Sequence, residues 1–212
     1  MQLASPALPV GAYTYSQGME WAVEQGWIRD EATALAWVEG ILRHPMAGFE
    51  APMLATLQRA ANDCDTDRFR ELNDWFIASR ETGELRAETV QMGYSLFRLA
   101  LALGEADFVA DEESLSFPAV WALLANRWQI DESASVGGYL WSWSENQVMA
   151  AIKLVPLGQT AGQRLLWRLG GLIPDLARAA IILEEPLWNG YAPGVALASS
   201  GHETQYCRLF RS

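Results

Sequence analysis

The residues best equipped for chemistry lie in the last stretch of the chain, His202-Glu203-Thr204-Gln205-Tyr206-Cys207-Arg208-Leu209-Phe210-Arg211-Ser212. Its final five residues hold two arginines and no acid. A guanidinium is a planar fork of donors that pairs bidentately with a carboxylate, which an ammonium does less well. Tyr206, Leu209 and Phe210 follow one another at spacings of three and one, and Tyr206 and Phe210 are four apart, so all three suit one face of a helical turn. Aromatic and arginine side chains dominate the energetics of protein interfaces. Residues 189–201, just before, are mostly Gly, Ala, Ser and Pro with a few apolar residues and carry no charge. The pattern predicts a flexible C-terminal tail from about 189, with an aromatic, basic tip. Such tails either pack on their own domain or order when a partner arrives.

Reactive-centre motifs are missing. There is no GxxxxGK[ST] to cradle a phosphate, no GxSxG and no HExxH. The two histidines, His44 and His202, and the two cysteines, Cys64 and Cys207, are far apart in sequence, so no closed metal site and no disulfide framework can be read from them. The acidic run Asp111-Glu112-Glu113 reads as a solvated loop rather than an acid/base pair. The residue types favour binding over catalysis.

The bulk numbers agree. Half of the 212 residues are apolar and 19% are charged, which supports a well-buried core. A net charge of -11 and a pI near 4.6 repel phosphate backbones, which excludes nucleic acid as the expected partner. Lys153 is the only lysine. No apolar run approaches the ~20 residues a bilayer span needs, and no basic segment leads into an apolar one, so the expected compartment is the cytoplasm and no membrane partner is expected. Ten tryptophans are spread singly through apolar patterns and suit core packing or interface anchors.

The elements that must carry these groups all read as helix. Residues 16–24 form a first helix ended by Gly26. Asp30 caps a second, which Pro45 stops. Pro52 suits the first turn of a third, and Asp65 or Thr66 caps a fourth. Leu85, Met92, Leu96, Leu99 and Leu103 give residues 82–103 the clearest period. Residues 105–116 read as a loop. Pro118 opens a further helix, another runs over about 132–154, and the stretch 158–183 is broken or kinked by Pro174. Gly137-Gly138 and Gly170-Gly171 lie inside helical patterns, where a neighbouring helix or subunit could pack close. No strand pattern or internal repeat is present. The prediction is a single all-α domain, 1–212, of about eight helices.

Two stretches are too specific for generic helix. In residues 5–21, Pro6 and Pro9 hold an extended segment, Gly11 permits a sharp turn, and Glu20 sits between Met19 and Trp21. If buried, that carboxylate must be hydrogen-bonded or paired. In residues 139–160, Asn146, Gln147 and Lys153 punctuate apolar surroundings, and buried amides there either knit helices together or line a cavity. Knitting is the favoured reading.

Four blocks carry a resemblance: LASPALPVGAYTYSQGMEWAVE at 3–24, ETGELRAETVQMGYSLFRL at 81–99, YLWSWSENQVMAAIKLVPLGQT at 139–160 and HETQYCRLFRS at 202–212. Together they make the chain similar to the UreF family of urease accessory proteins, from end to end. Cys207 departs from the serine usual there. The resemblance implies an all-α homodimer in the cytoplasm with no tightly bound cofactor. It implies a non-catalytic scaffold that bridges UreD (also called UreH) and the GTPase UreG and tunes that GTPase while nickel is loaded into apo-urease. It assigns partner binding to Tyr206, Arg208, Leu209, Phe210 and Arg211, with Tyr13 and Glu20 as further contacts. Two alternatives stay open. One is a weak nickel carrier with His202 as a ligand, the other an unrecognised helical enzyme.

Overall fold

In the computed structural model, residues 2–106 and 115–212 are described. The acidic run at 111–113 and most of the loop expected at 105–116 lie outside them. Among the described residues there is no strand, and the expected all-α class holds. The helices are α1 Met19–Glu24, α2 Glu31–Ile41, α3 Ala51–Asn62, α4 Thr66–Ala78, α5 Gly83–Ala102, α6 Phe117–Arg127, α7 Glu132–Leu154, α8 Gln159–Ile181 and α9 Pro193–Glu203.

Local chemistry explains most helix starts. The Asp30 carboxylate accepts the Thr33 amide at 2.8 Å while the Thr33 hydroxyl receives the Asp30 amide, a closed capping box. Asp65, Thr82 and Asp131 cap α4, α5 and α7 in the same sense. Gly26, at φ +72°, ends the turn after α1. The helices enclose one apolar core, in which Leu42, Met53, Leu54, Leu57, Leu72, Leu96, Trp121 and Leu140 are nearly or wholly inaccessible. Within it α7 packs along α8, α3 against α6 and α5 against α6, while α1 lies on α9.

Four local expectations change. Pro45 does not stop the second helix. The chain runs on through a π-helical segment, Leu42–Glu50, directly into α3. Proline lacks one amide donor, and a ladder widened to five-residue spacing steps past it. Pro174 lies inside an α8 that runs unbroken to Ile181. The segment expected as a flexible tail contains α9, and Ala198, Ser199 and His202 on that helix are buried. Beyond it, Tyr206, Leu209 and Phe210 do not form a helical turn and do not share a face. Tyr206 and Leu209 are exposed, whereas Phe210 is 5% exposed.

The glycine pairs divide. A Cβ at Gly170 would press on Trp141 at 3.2 Å, and one at Gly138 would touch Trp121, so both mark close helix contacts. Gly171 faces open space.

Candidate docking site at the C-terminal segment

Residues 202–212 are seated by four side chains of the N-terminal and α5 blocks: Ser16, Glu20, Glu84 and Glu88. Glu20 begins α1 and is 9% exposed. One of its oxygens accepts the Leu209 amide at 2.6 Å; the other accepts the Phe210 amide at 2.9 Å and faces His202 Nε2 at 3.3 Å. The carboxylate is buried and hydrogen-bonded, as the sequence reading requires of a buried acid there. Charge-assisted bonds of this kind are about twice as strong as neutral ones.

His202 has no accessible surface. Its Nδ1 lies 2.7 Å from Glu84, so a carboxylate stands at each ring nitrogen. Neither nitrogen is open to a ligand from solvent. Among the described residues no group of three or more His, Cys, Asp or Glu is placed to hold a metal ion. Glu84 also pairs with the Arg208 guanidinium.

The last two residues are held differently. The Arg211 amide donates to the Thr14 carbonyl at 2.9 Å. The Ser212 carbonyl accepts from the Ser16 amide and hydroxyl, at 2.8 and 2.7 Å. The Ser212 hydroxyl donates to Glu88 at 2.6 Å. Glu88 in turn accepts the Gln17 amide, and the Gln17 carbonyl accepts the Trp143 indole, both at 2.8 Å. Gln17 sits at φ +53°, which is rare for a residue with a Cβ, and both of its side-chain bonds fix it there. Burial pushes the Tyr15 hydroxyl up, and the Arg211 guanidinium hydrogen-bonded to it works the other way.

Close approach of α1 and α9 makes this seat. A Cβ at Gly18 would lie 2.7 Å from the Ser199 amide, and one at Gly201 would overlap the Trp21 indole. The Ser199 hydroxyl bonds Thr82, which also caps α5. Lys153, near the end of α7, places its ammonium 5.4 Å from the Phe210 ring and 5.8 Å from the Tyr13 ring. At that range a cation is attracted to both ring faces.

The structure therefore brings Glu20, His202, Arg208, Leu209, Phe210 and Arg211 into one cluster, with Tyr13 at its edge across Lys153. Tyr206 and Leu209 point outward, at 105% and 67% exposure, and Tyr13 is 62% exposed. Glu84, Glu88, Gln17 and Ser212 were missed by sequence reasoning. Glu88 had a legible signal, since it lies on the apolar stripe of α5 between Leu85 and Met92.

Beneath the seat is a cavity of about 60 Å³ lined by Gln17, Glu50, Arg80, Glu88, Asn146 and Gln147 among others. Such a volume holds about two waters. Gln147 is 2% exposed and its Oε1 has no hydrogen-bond partner among the described residues. Gln147 thus lines a cavity rather than knitting helices. Arg80 donates to Glu50 at 2.6 Å, and the Tyr139 hydroxyl donates to the other Glu50 oxygen at 2.9 Å. Burial alone would lower the Arg80 guanidinium, but the Glu50 carboxylate outweighs it and holds it up. Burial, then Glu50, pushes the Tyr139 hydroxyl well up. Glu88 is raised to about 7 by burial, against the hydrogen bonds of Ser212 and Gln17.

Residues 28–170 match the family model for UreF. The chain belongs to the UreF family of urease accessory proteins. It is 53% identical to the urease accessory protein UreF of Dechloromonas aromatica (strain RCB), over all of this chain and 96% of that protein. It is 54% identical to the UreF of Azoarcus sp. (strain BH72), over all of this chain and 94% of that one. A bifunctional urease accessory protein UreEF of Bordetella bronchiseptica matches at 48% over all of this chain and 51% of its own length. The family model stops short of the C-terminal seat, but these relatives span it. Among the described residues no helix is long and apolar enough to cross a membrane.

Proposed function

We propose that this family member acts as a non-catalytic scaffold in urease maturation. It bridges UreD/UreH and the GTPase UreG, modulates GTP-dependent nickel loading of apo-urease, and works in the cytoplasm as a homodimer. Nickel is cargo of the complex on this reading, and no cofactor is held tightly. One observation carries it. The domain holds the backbone of residues 209–212 firmly while the Leu209 side chain, like those of Tyr206 and Tyr13, is exposed. An exposed apolar side chain on firmly held backbone, as at Leu209, suits docking, because little ordering entropy remains to be lost on binding. The UreEF relative supports the assembly reading, since its name joins two urease accessory proteins in one chain.

The test is co-purification with UreD and UreG followed by an activation assay on apo-urease. Tyr206→Ala combined with Leu209→Ala removes only exposed side chains. It should abolish or strongly weaken the complex and lower activation with an unchanged circular dichroism spectrum. Deletion of 202–212 should do at least as much. Full complex formation and activation by both variants would refute the assignment.

A further inference from the structure

At the end of α7 opposite the C-terminal seat lies a hollow of about 480 Å³, open to solvent and lined by polar groups. Glu132, which starts α7, stands at its edge, while Lys153, near the other end of that helix, faces Phe210. At 1.5 Å per residue the two points are about 30 Å apart. Four side-chain amides line the hollow: Gln58, Asn62, Asn126 and Gln129. Gln58 is the buried one, at 6% exposure. Its Nε2 donates to the Ile130 carbonyl at 2.6 Å, which fixes the way the amide points. Its Oε1 has no hydrogen-bond partner among the described residues. A buried acceptor left without a donor is costly, so this oxygen calls for a donor that the described residues do not supply.

The electrostatics select the kind of donor. Helices α3 and α6, packed side by side, both end at the hollow. The Asp65 amide closes α3 on the Ala60 carbonyl and the Ile130 amide closes α6 on the Ala125 carbonyl, with Cys64 and Gln129 at positive φ in the two turns. Each helix C-terminus carries about half an elementary negative charge. The positive N-terminus of α7, which starts there too, is covered by the Asp131 cap and by Glu132 in its first turn. Asp63, Asp131 and Glu132 put three carboxylates in the lining, against one cation, Arg59. That guanidinium is already engaged, for it donates to both Glu132 oxygens and to the Ile181 carbonyl. Asp63 and Asp131 make no ion pair among the described residues. The hollow therefore favours positive charge. No metal-ligating group of three or more His, Cys, Asp or Glu is present among the described residues, so the donor set suits an organic cation with several N–H groups.

We propose that this hollow receives an arginine side chain from the surface of another protein. A guanidinium offers five N–H donors in fixed directions and needs no donor in return, which matches amide and carboxylate oxygens around an acidic wall. The chain's net charge of -11 draws basic protein surfaces to it. The inference stands apart from the bridging role proposed above and places a second contact far from the C-terminal seat. Heteronuclear NMR on the full chain tests it, with acetyl-Gly-Arg-Gly-amide as the ligand and the citrulline peptide, of the same shape without the charge, as its control. The arginine peptide should shift the side-chain amide signals of Gln58, Asn62, Asn126 and Gln129 saturably, and the citrulline peptide should bind at least tenfold more weakly. Asp63→Asn together with Asp131→Asn removes two charges, keeps a capping side chain at 131, and should lower the arginine affinity at least tenfold. Gln58→Met keeps the length without the unpaired acceptor and should weaken binding several-fold. Circular dichroism identifies any variant whose fold is lost, in which case the two peptides on the wild type decide alone. No saturable shift with the arginine peptide, equal binding of the citrulline peptide, or an unaltered double variant would each overturn the proposal. Spermidine bound at least a hundredfold more tightly than the peptide would give the hollow to a soluble polyamine and overturn the protein assignment.

Discussion

The two ends of α7 use acidic side chains to opposite effect. At the C-terminal seat, Arg208 finds Glu84, Phe210 is buried, and two amides close on Glu20. At the hollow beside Glu132, Asp63 and Asp131 make no ion pair among the described residues, and the buried Gln58 oxygen has no donor there. Residue type alone therefore does not say which surface waits for a partner; that depends on whether the domain already supplies the complementary groups.

The largest break in that contrast should come from Glu20→Ala. It leaves the Leu209 and Phe210 amides and one face of His202 without their acceptor, and losing one partner of a buried charged network costs about 4 kcal/mol. Urea unfolding should show that loss, and limited proteolysis should then cut within 204–212. Phe210→Ala removes a ring that is 5% exposed, and such truncations cost about 3 kcal/mol. Both variants should free the terminal segment, whereas Asp131→Asn should leave it protected.

Glu88 sharpens the comparison through pH. Its folded value, about 7, lies above the ordinary 4.5, so the folded state holds the proton more tightly. Its contribution to stability is complete below about pH 4.5 and is lost as pH rises through about 7. Glu88→Gln keeps the shape and one acceptor oxygen without the buried charge. It should melt higher than wild type above pH 7, by no more than about 3 kcal/mol, and the gap should close towards pH 5. An unchanged gap from pH 5 to 8 would show that Glu88 does not titrate there. The smallest effect belongs to Tyr206→Ala, whose side chain is fully exposed, with a change in stability within about 0.5 kcal/mol.

Helix starts were legible because Asp30, Asp65 and Thr82 act on amides only three residues away. Pro45 misled because the register shift that absorbs it is a property of the packed π-helical segment. Helix α9 was hidden by its Gly, Ala and Ser content. Its alanines favour helix, but Gly194, Ser199, Ser200 and Gly201 do not, and the helix is fixed where Gly18 and Gly201 let α1 and α9 approach. The importance of Glu20 was legible as an acid in an apolar run. Its partners were not, because His202 and Phe210 lie 182 and 190 positions away and only the fold joins them.

Lys153 carries the sole side-chain amine of the chain, and it stands between the Phe210 and Tyr13 rings. An acylating reagent thus has one lysine to label, placed where the terminal segment meets the body of the domain. The labelling rate at that position becomes a chemical gauge of whether the segment is down or lifted, readable by mass spectrometry without altering a residue.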